Sequence, residues 1–77
     1  MPPRISLEQW QALVAVVDAG GYAQAADALS KSQSTISYAI RQIEERLGVA
    51  VFAMDGRKAL LTDDGKILYR RGKSLVG

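Results

Sequence analysis

Apolar residues recur every three or four positions along the first part of the chain, which is the period of a helix with one buried face. In the first such stretch they are Leu7, Trp10, Leu13, Val14 and Val17. Ser6 and Gln9 stand at capping-box spacing, so the pattern predicts a helix over about 7–19. Gly20-Gly21 should end it, because glycine adopts the left-handed C-cap conformation without steric cost.

A second helix is predicted over about 22–29, where alanines would let a neighbouring helix approach the backbone closely. The polar break Ser30-Lys31-Ser32 follows it. Ser32 can cap a third helix by accepting a hydrogen bond from the backbone amide of Ser34 or Thr35. The pattern therefore predicts two helices joined by a short turn.

The third helix should extend over about 33–47, with Gly48 as its stop, and it is amphipathic. Its apolar stripe, which falls within about 60° and should face the first two helices, consists of Ile36, Ile40, Ile43 and Leu47. The opposite face carries Ser34, Tyr38, Arg41 and Glu45, with Ser37 and Gln42 on its borders.

Beyond Gly48 the pattern changes to β-branched and apolar residues on both sides of Asp55-Gly56, a dipeptide suited to a tight hairpin turn. This predicts a two-stranded ribbon over about 51–61. Thr62, followed by two acids, then predicts the capped start of a fourth helix from about Asp63 to the end of the chain. Its candidate apolar contacts are Ile67, Leu68, Leu75 and Val76.

Length and composition narrow the class of protein. The 77 residues support one domain with a small core. With no cysteine and no histidine, the chain lacks the residues for disulfides, for thiolate or imidazole metal sites and for Ser/His or Cys/His nucleophiles. The adjacent carboxylates Asp63 and Asp64 are best explained as charges at a helix N-terminus. We therefore expect no enzyme, no metal and no cofactor.

The apolar runs are also too short for a membrane. The longest, 12–17, cannot cross a bilayer, and the N-terminal segment 1–9 lacks the apolar core of a signal peptide. We expect no membrane partner and a cytoplasmic location.

Charge is unevenly placed although the net charge is only +2. From Gly56 to Gly77 there are six Lys and Arg against two Asp, and between Ala28 and Ile43 the only charged residues are Lys31 and Arg41. An acid-free stretch of this kind would suit a polyanionic partner. On charge alone, an ordinary solvated face explains the pattern equally well.

Two helices joined by a short turn, the second with a polar outer face, have the layout of a helix-turn-helix, whose second helix enters the major groove. Short hydroxyls at the tip of that helix would let its backbone amides approach phosphate. Gln33 could make a two-point contact to adenine, and Arg41 could reach a phosphate or a guanine. The ribbon would be the wing, offering Arg57 and Lys58 to the backbone or the minor groove.

The candidate DNA-contacting residues are therefore Ser32, Gln33, Ser34, Thr35, Ser37, Tyr38, Arg41, Arg57 and Lys58.

The segments "AADALSKSQSTISYAIRQIEERLGVAVF" and "GRKALLTDDG" resemble the N-terminal domain of LysR-type transcriptional regulators over nearly the whole chain. The resemblance implies a mostly α fold, a winged helix-turn-helix with a three-helix core, a two-stranded β wing and a C-terminal linker helix. Residues 1–61 would form the DNA-binding domain, with 33–47 as recognition helix and 51–61 as wing. Residues 62–77 would begin the dimerisation helix, and the effector-binding domain would be absent.

The family's function is sequence-specific binding of double-stranded DNA at an imperfect palindrome in the bacterial cytoplasm. The resemblance implies a homodimer, or a tetramer of the full-length protein, and a small-molecule inducer bound only by the missing C-terminal domain. The family's base-reading positions match Gln33, Ser34, Ser37 and Tyr38.

Four positions depart from the family's usual pattern. The family has proline where Ser34 stands, threonine where Ala23 stands, a more polar or basic residue where Tyr38 stands, and arginine where Met54 stands. Weaker anchoring to the DNA backbone would follow from two of these departures, the lost threonine hydroxyl at Ala23 and the lost arginine at Met54. A winged helix used for protein interaction, with Tyr38 and the apolar wing residues as its contact surface, is the alternative from another class.

Overall fold

The computed structural model describes residues 5–56 and 58–76, with the backbone alone at 55, 58 and 59. These residues form four helices and one antiparallel hairpin. The elements are α1 (Leu7–Ala19), α2 (Tyr22–Leu29), α3 (Gln33–Leu47), β1 (Phe52–Asp55), β2 (Lys58–Leu61) and α4 (Asp63–Val76). The predicted mostly α, winged helix-turn-helix architecture is thereby confirmed.

The ends of α1 show why the sequence folds as its pattern predicts. The Ser6 hydroxyl accepts from the Gln9 amide at 3.2 Å, and the Gln9 side chain accepts from the Ser6 amide at 2.8 Å, completing the capping box. At the other end Gly20 takes φ 92° and donates its amide to the Val16 carbonyl at 3.1 Å. Both boundaries of α1 are therefore fixed by local chemistry.

The core lies where α1, α2 and α3 meet. Its fully buried large side chains are Leu13, Ile36, Ile40, Ile43 and Val51. The isoleucine stripe of α3 faces α1 and α2 as predicted, with Leu47 packed at its margin. Leu7 is exposed, although it follows the helical period of α1. Burying one stripe of α3 leaves its opposite face to solvent.

The wing pairs Phe52 with Leu61 at its base and Asp55 with Lys58 at its tip. Asp55 is thus the last residue of β1, and our placement of it in the turn is wrong by one position. Gly56 does lie in the turn, with φ 65°, a left-handed conformation that glycine adopts readily. At the base, the Phe52 and Tyr22 rings meet edge to face at 5.9 Å, so the wing is seated against α2.

Helix α4 packs against α1 in a way that the apolar pattern does not predict. Of the four expected contacts only Leu68 is partly buried against the core, while Ile67, Leu75 and Val76 are exposed. The buried positions of α4 are Gly65 and Gly72. A Cβ at Gly65 would collide with the Val51 carbonyl, and one at Gly72 would lie 3.0 Å from a Val14 methyl. Close backbone approach, rather than side-chain burial, holds most of this helix.

Candidate nucleic-acid interface

The turn between α2 and α3 positions the start of the candidate interface. Ser30 adopts φ 56° and ends α2, while Lys31 donates its amide to the Ala26 carbonyl at 2.9 Å. A left-handed residue other than glycine is uncommon, and here it ends α2 three residues before α3 begins. The outer face of α3 is thereby set on the opposite side of that helix from α1 and α2.

Ser32 organises the hydroxyl groups at the N-terminus of α3. Its hydroxyl oxygen accepts from the Thr35 amide at 3.2 Å, which confirms the predicted cap and selects Thr35 over Ser34 as the amide donor. The same oxygen lies 2.7 Å from the Thr35 hydroxyl and 3.2 Å from the Ser34 hydroxyl. The three hydroxyl groups therefore form one small cluster that holds the first turn of the helix.

The outer face of α3 brings five predicted residues together in one shallow depression, which is lined by Gln33, Ser34, Ser37, Tyr38 and Arg41. Tyr38 is 61% exposed, and its hydroxyl has no hydrogen-bond partner among the described residues. The first turn of α3 contains no acid. This surface thus combines amide, hydroxyl and guanidinium donors with one exposed ring.

The remaining predicted residues are arranged differently. Ser32 is exposed as the N-cap, and Thr35 lies on the flank of α3 beside Lys31 and Gln42, in a second depression toward α1. Lys58 belongs to β2, but its side chain and the whole of Arg57 lie outside the described residues. The structure therefore groups the residues of α3 and leaves the two wing cations as predictions.

The wing and α3 border a common cleft. Its walls, including Gln33 from α3, Tyr22 from α2 and the wing residues Phe52 and Met54, enclose about 630 Å³ that is open to solvent. Met54 is 69% exposed at the position where arginine was the family expectation. Burial, and then the nearby Glu44 charge, raise the pKa of Tyr22. At the position of the expected arginine, the wing thus lines the cleft with the apolar side chain of Met54.

Two side chains make links between α3, the wing and α4 that we did not predict. The Glu44 carboxylate accepts from the Val51 amide at 2.8 Å. Thr62 accepts from the Gly65 amide at 2.9 Å, as its predicted capping role requires, but its hydroxyl also donates to the Ala50 carbonyl at 2.5 Å. Both side chains thus hydrogen-bond to the backbone of residues 50–51, directly before the wing.

A second unpredicted cluster joins α1 to α4. Asp18 accepts from the Tyr69 hydroxyl at 2.5 Å and from the Lys73 ammonium at 3.1 Å. The hydrogen bond from Tyr69, followed by that from Lys73, holds the pKa of Asp18 below its ordinary value. The same carboxylate raises the pKa of both Tyr69 and Lys73. We call Asp18, Tyr69 and Lys73 the α1–α4 clasp.

The described ranges contain no cluster of acids that could hold a metal ion. Within those same ranges, no helix has both the length and the apolar character needed to span a bilayer.

Comparison with known proteins gives one consistent family. Residues 7–66 match the family model described as bacterial regulatory helix-turn-helix protein, lysR family. A probable RuBisCO transcriptional regulator of Cyanophora paradoxa is 38% identical over 71 residues, which are 92% of this chain and 22% of the relative. The chain therefore spans about a fifth of the length of that relative.

Solved structures agree with the sequence match. The oxidized form of OxyR from Corynebacterium glutamicum superposes with a TM-score of 0.87 at 32% identity, covering 95% of this chain and 22% of that one. A complex of the BenM DNA-binding domain with catB site 1 DNA superposes with a TM-score of 0.86 at 30% identity, covering 92% of this chain and 80% of that one.

Proposed function

The chain belongs to the LysR family of bacterial regulatory helix-turn-helix proteins, and on that premise we propose that it binds double-stranded DNA in a sequence-specific manner. Helix α3 would lie in the major groove, with the wing on the backbone or in the minor groove. The observation that carries the proposal is the continuous outer face of α3, where five donor-bearing side chains line one depression.

Each part of this face suits a different contact. Gln33, at the first position of α3, is exposed and long enough to pair with adenine at two points. Ser34 and Ser37 are short, so the amides of the first turn can approach a phosphate without an intervening bulky group. Arg41 would contact a phosphate or a guanine, and the Tyr38 ring would stack on a sugar or contact a thymine methyl.

The hydroxyl cluster has a supporting role in this proposal. Because Ser32 and Thr35 hydrogen-bond to each other, they keep the first turn ordered before DNA arrives. A preformed turn reduces the entropy lost on binding. On the wing, Arg57 and Lys58 would supply electrostatic contacts to phosphate. Met54 is uncharged and would supply no such contact.

The proposal includes self-association, because a symmetric dimer reads an imperfect palindrome with two copies of α3. Residues 62–77 would begin the helix that pairs the subunits, as a homodimer or as a tetramer of a full-length protein. An inducer would be bound only by a C-terminal domain beyond residue 77. The relatives named as regulators support a role in transcription. Because bacterial DNA lies in the cytoplasm, we propose that the protein acts there. We assign it no enzymatic activity.

Binding experiments on the chain and two variants test the proposal. Sequences selected by the chain from a random duplex pool would provide the specific site. We expect Gln33→Ala to weaken binding to that site by about 1–3 kcal/mol and to weaken binding to random duplex less. Gln11→Ala, which removes a half-buried glutamine from α1, is the matched control and should change neither. Equal losses on both duplexes would exclude base reading by Gln33.

A second function is favoured by one observation, the exposure of Tyr38, Met54 and Leu60 on the same side of the molecule as the α3 depression and the wing cleft. Such side chains could contact a protein partner instead of DNA. The dependence of DNA affinity on salt separates the two functions. A slope of about −0.9 per phosphate contact, summed over several contacts, supports DNA binding, whereas a shallow slope supports the protein partner.

A further inference from the structure

Helix α4 presents three different surfaces around its circumference. The buried side carries Gly65, which lies against the Val51 carbonyl, and Gly72, which lies against Val14 and Trp10 of α1. One flank carries Tyr69 and Lys73, the two residues of the α1–α4 clasp that point to Asp18. At 100° per residue, the opposite flank carries Ile67 and Leu75, which are 63% and 55% exposed. The orientation of α4 about its own axis decides where this apolar flank points.

Glycine contacts alone resist such rotation poorly. Helices normally interlock because side-chain ridges of one fit grooves of the other. At Gly65 and Gly72 there is no side chain to interlock, and Leu68 is the one apolar residue of α4 that packs against the core within the described part of the chain. A contact of this kind fixes the distance between α1 and α4 more firmly than it fixes the roll of α4.

The clasp supplies the missing restraint. Tyr69 and Lys73 lie one helical turn apart and reach different oxygens of a single carboxylate, at 2.5 and 3.1 Å. The Lys73 ammonium also lies 6.0 Å from the centre of the Tyr69 ring. Two donors from one flank, held at one point on α1, oppose a roll of α4 in either direction. The clasp is the polar side-chain connection between these two helices among the described hydrogen bonds.

The clasp contributes little to folding stability by comparison. The Asp18 and Lys73 side chains are about half exposed, at 43% and 52%, and water and salt screen an exposed ion pair strongly. Its geometric effect is larger. A roll of about 20° moves a side chain at a radius of about 5 Å by about 2 Å, and a two-fold axis doubles that displacement between subunits.

We infer that Asp18 is a positioning residue, which fixes the roll of α4 and thereby the separation of the two DNA-reading α3 helices in a paired complex. This inference rests on the proposed function, because it requires pairing through α4. In this role Asp18 is not required to contact the DNA or the partner subunit. It acts through Tyr69 and Lys73 on the direction of the Ile67 and Leu75 flank.

The distance between two labelled subunits on DNA tests the inference. Because the chain has no cysteine, Ala28→Cys places a single spin label on an exposed position of α2, outside both α3 and α4. The probe is the two-half-site duplex selected by the otherwise unaltered chain. We expect one narrow distance distribution. Tyr69→Phe or Asp18→Asn should shift or broaden it by about 2–4 Å, from the roll estimated above.

Two controls make the result decisive. Gln11→Ala removes a polar side chain elsewhere on α1 and should leave the distribution unchanged, and affinity for a single half-site should be unchanged in all variants. Lys73→Met keeps the apolar stem and should reproduce the broadening if the clasp is responsible. An unaltered distribution in Tyr69→Phe and Asp18→Asn would overturn the inference. If the labelled chain without further substitutions gave no inter-subunit distance on DNA, pairing through α4 would be rejected. If that chain did not bind DNA at all, the proposed function would be rejected separately.

Discussion

Helices α3 and α4 each begin behind a hydroxyl-bearing cap and each lie against α1, but opposite kinds of residue make the contact. Helix α3 buries Ile36, Ile40 and Ile43 and exposes polar side chains. Helix α4 buries Gly65 and Gly72 and exposes apolar side chains. A helix anchored by side chains can present a polar face for a ligand, whereas one anchored by its backbone keeps its apolar residues available for another protein surface.

The largest expected effect is the loss of stability caused by a cavity at Ile40, because buried isoleucines anchor α3. Ile40→Ala should lower the free energy of unfolding by about 3 kcal/mol, because Ile40 is almost fully buried. Urea unfolding followed by circular dichroism measures it. Arg41→Ala, the next residue along, points outward and should change stability by less than about 0.5 kcal/mol. Similar losses in the two variants would mean that the faces of α3 are not separated as described.

The anchoring of α4 should instead be sensitive to an added methyl group. Gly65→Ala should lower the free energy of unfolding by about 2 kcal/mol, because the new Cβ would collide with the Val51 carbonyl. Ser74→Ala, at an exposed position of the same helix, should have almost no effect. Thermal unfolding of both variants measures the difference. A more stable Gly65→Ala variant, as helix propensity alone would give, would contradict close backbone packing.

The cap residues of α3 and α4, Ser32 and Thr62, differ in what they contact. A substitution at each one compares their contributions to stability. Thr62 caps α4 and also donates to the Ala50 carbonyl, whereas the Ser32 contacts all lie within the first turn of α3. Thr62→Val should therefore cost about 1.5 kcal/mol of unfolding free energy, and Ser32→Ala about 1 kcal/mol. Parallel urea titrations measure both. A larger loss for Ser32→Ala would show that the hydroxyl cluster of α3, rather than the Thr62 link, is the stronger restraint.

The smallest expected effect concerns pH and the α1–α4 clasp. The pKa of Asp18 lies below its ordinary value of 3.8, so its stabilising contribution is present above that pH and is lost as the pH falls through the folded-state pKa. Asp18→Asn should destabilise the chain slightly at about pH 7, and the difference should shrink at about pH 3 and below. Unfolding free energies at both pH values measure it. A difference that grew toward acid would have the wrong sign for an ionised Asp18.

Local signals account for most of what the sequence predicts correctly. The capping box at Ser6, the left-handed glycines and the isoleucine period of α3 each act within one helix, so they can be recognised without a partner element. The turn was misplaced by one residue at Asp55, because strand pairing, rather than the Asp-Gly dipeptide, sets its position.

Contacts between distant parts of the chain account for what the sequence does not predict. In the clasp, Asp18 lies 51 positions along the chain from Tyr69 and 55 from Lys73. No local pattern marks Asp18 as the common partner of these two residues. The apolar residues of α4 suggested burial, but the side of α4 that is buried carries Gly65 and Gly72. The α3 candidates share one surface because a helical face is periodic, and their contacts with DNA stay a prediction.

The exposure of the α3 outer face has a consequence for how such a domain can diverge. Ser34, Tyr38 and Arg41 contribute nothing to the core, so substitutions at these positions can accumulate without loss of the fold. Under the proposed function, selection can therefore test new operator sequences on an unchanged scaffold, one side chain at a time. In this chain, serine in place of the family's usual proline and an aromatic ring at position 38 are substitutions of that kind.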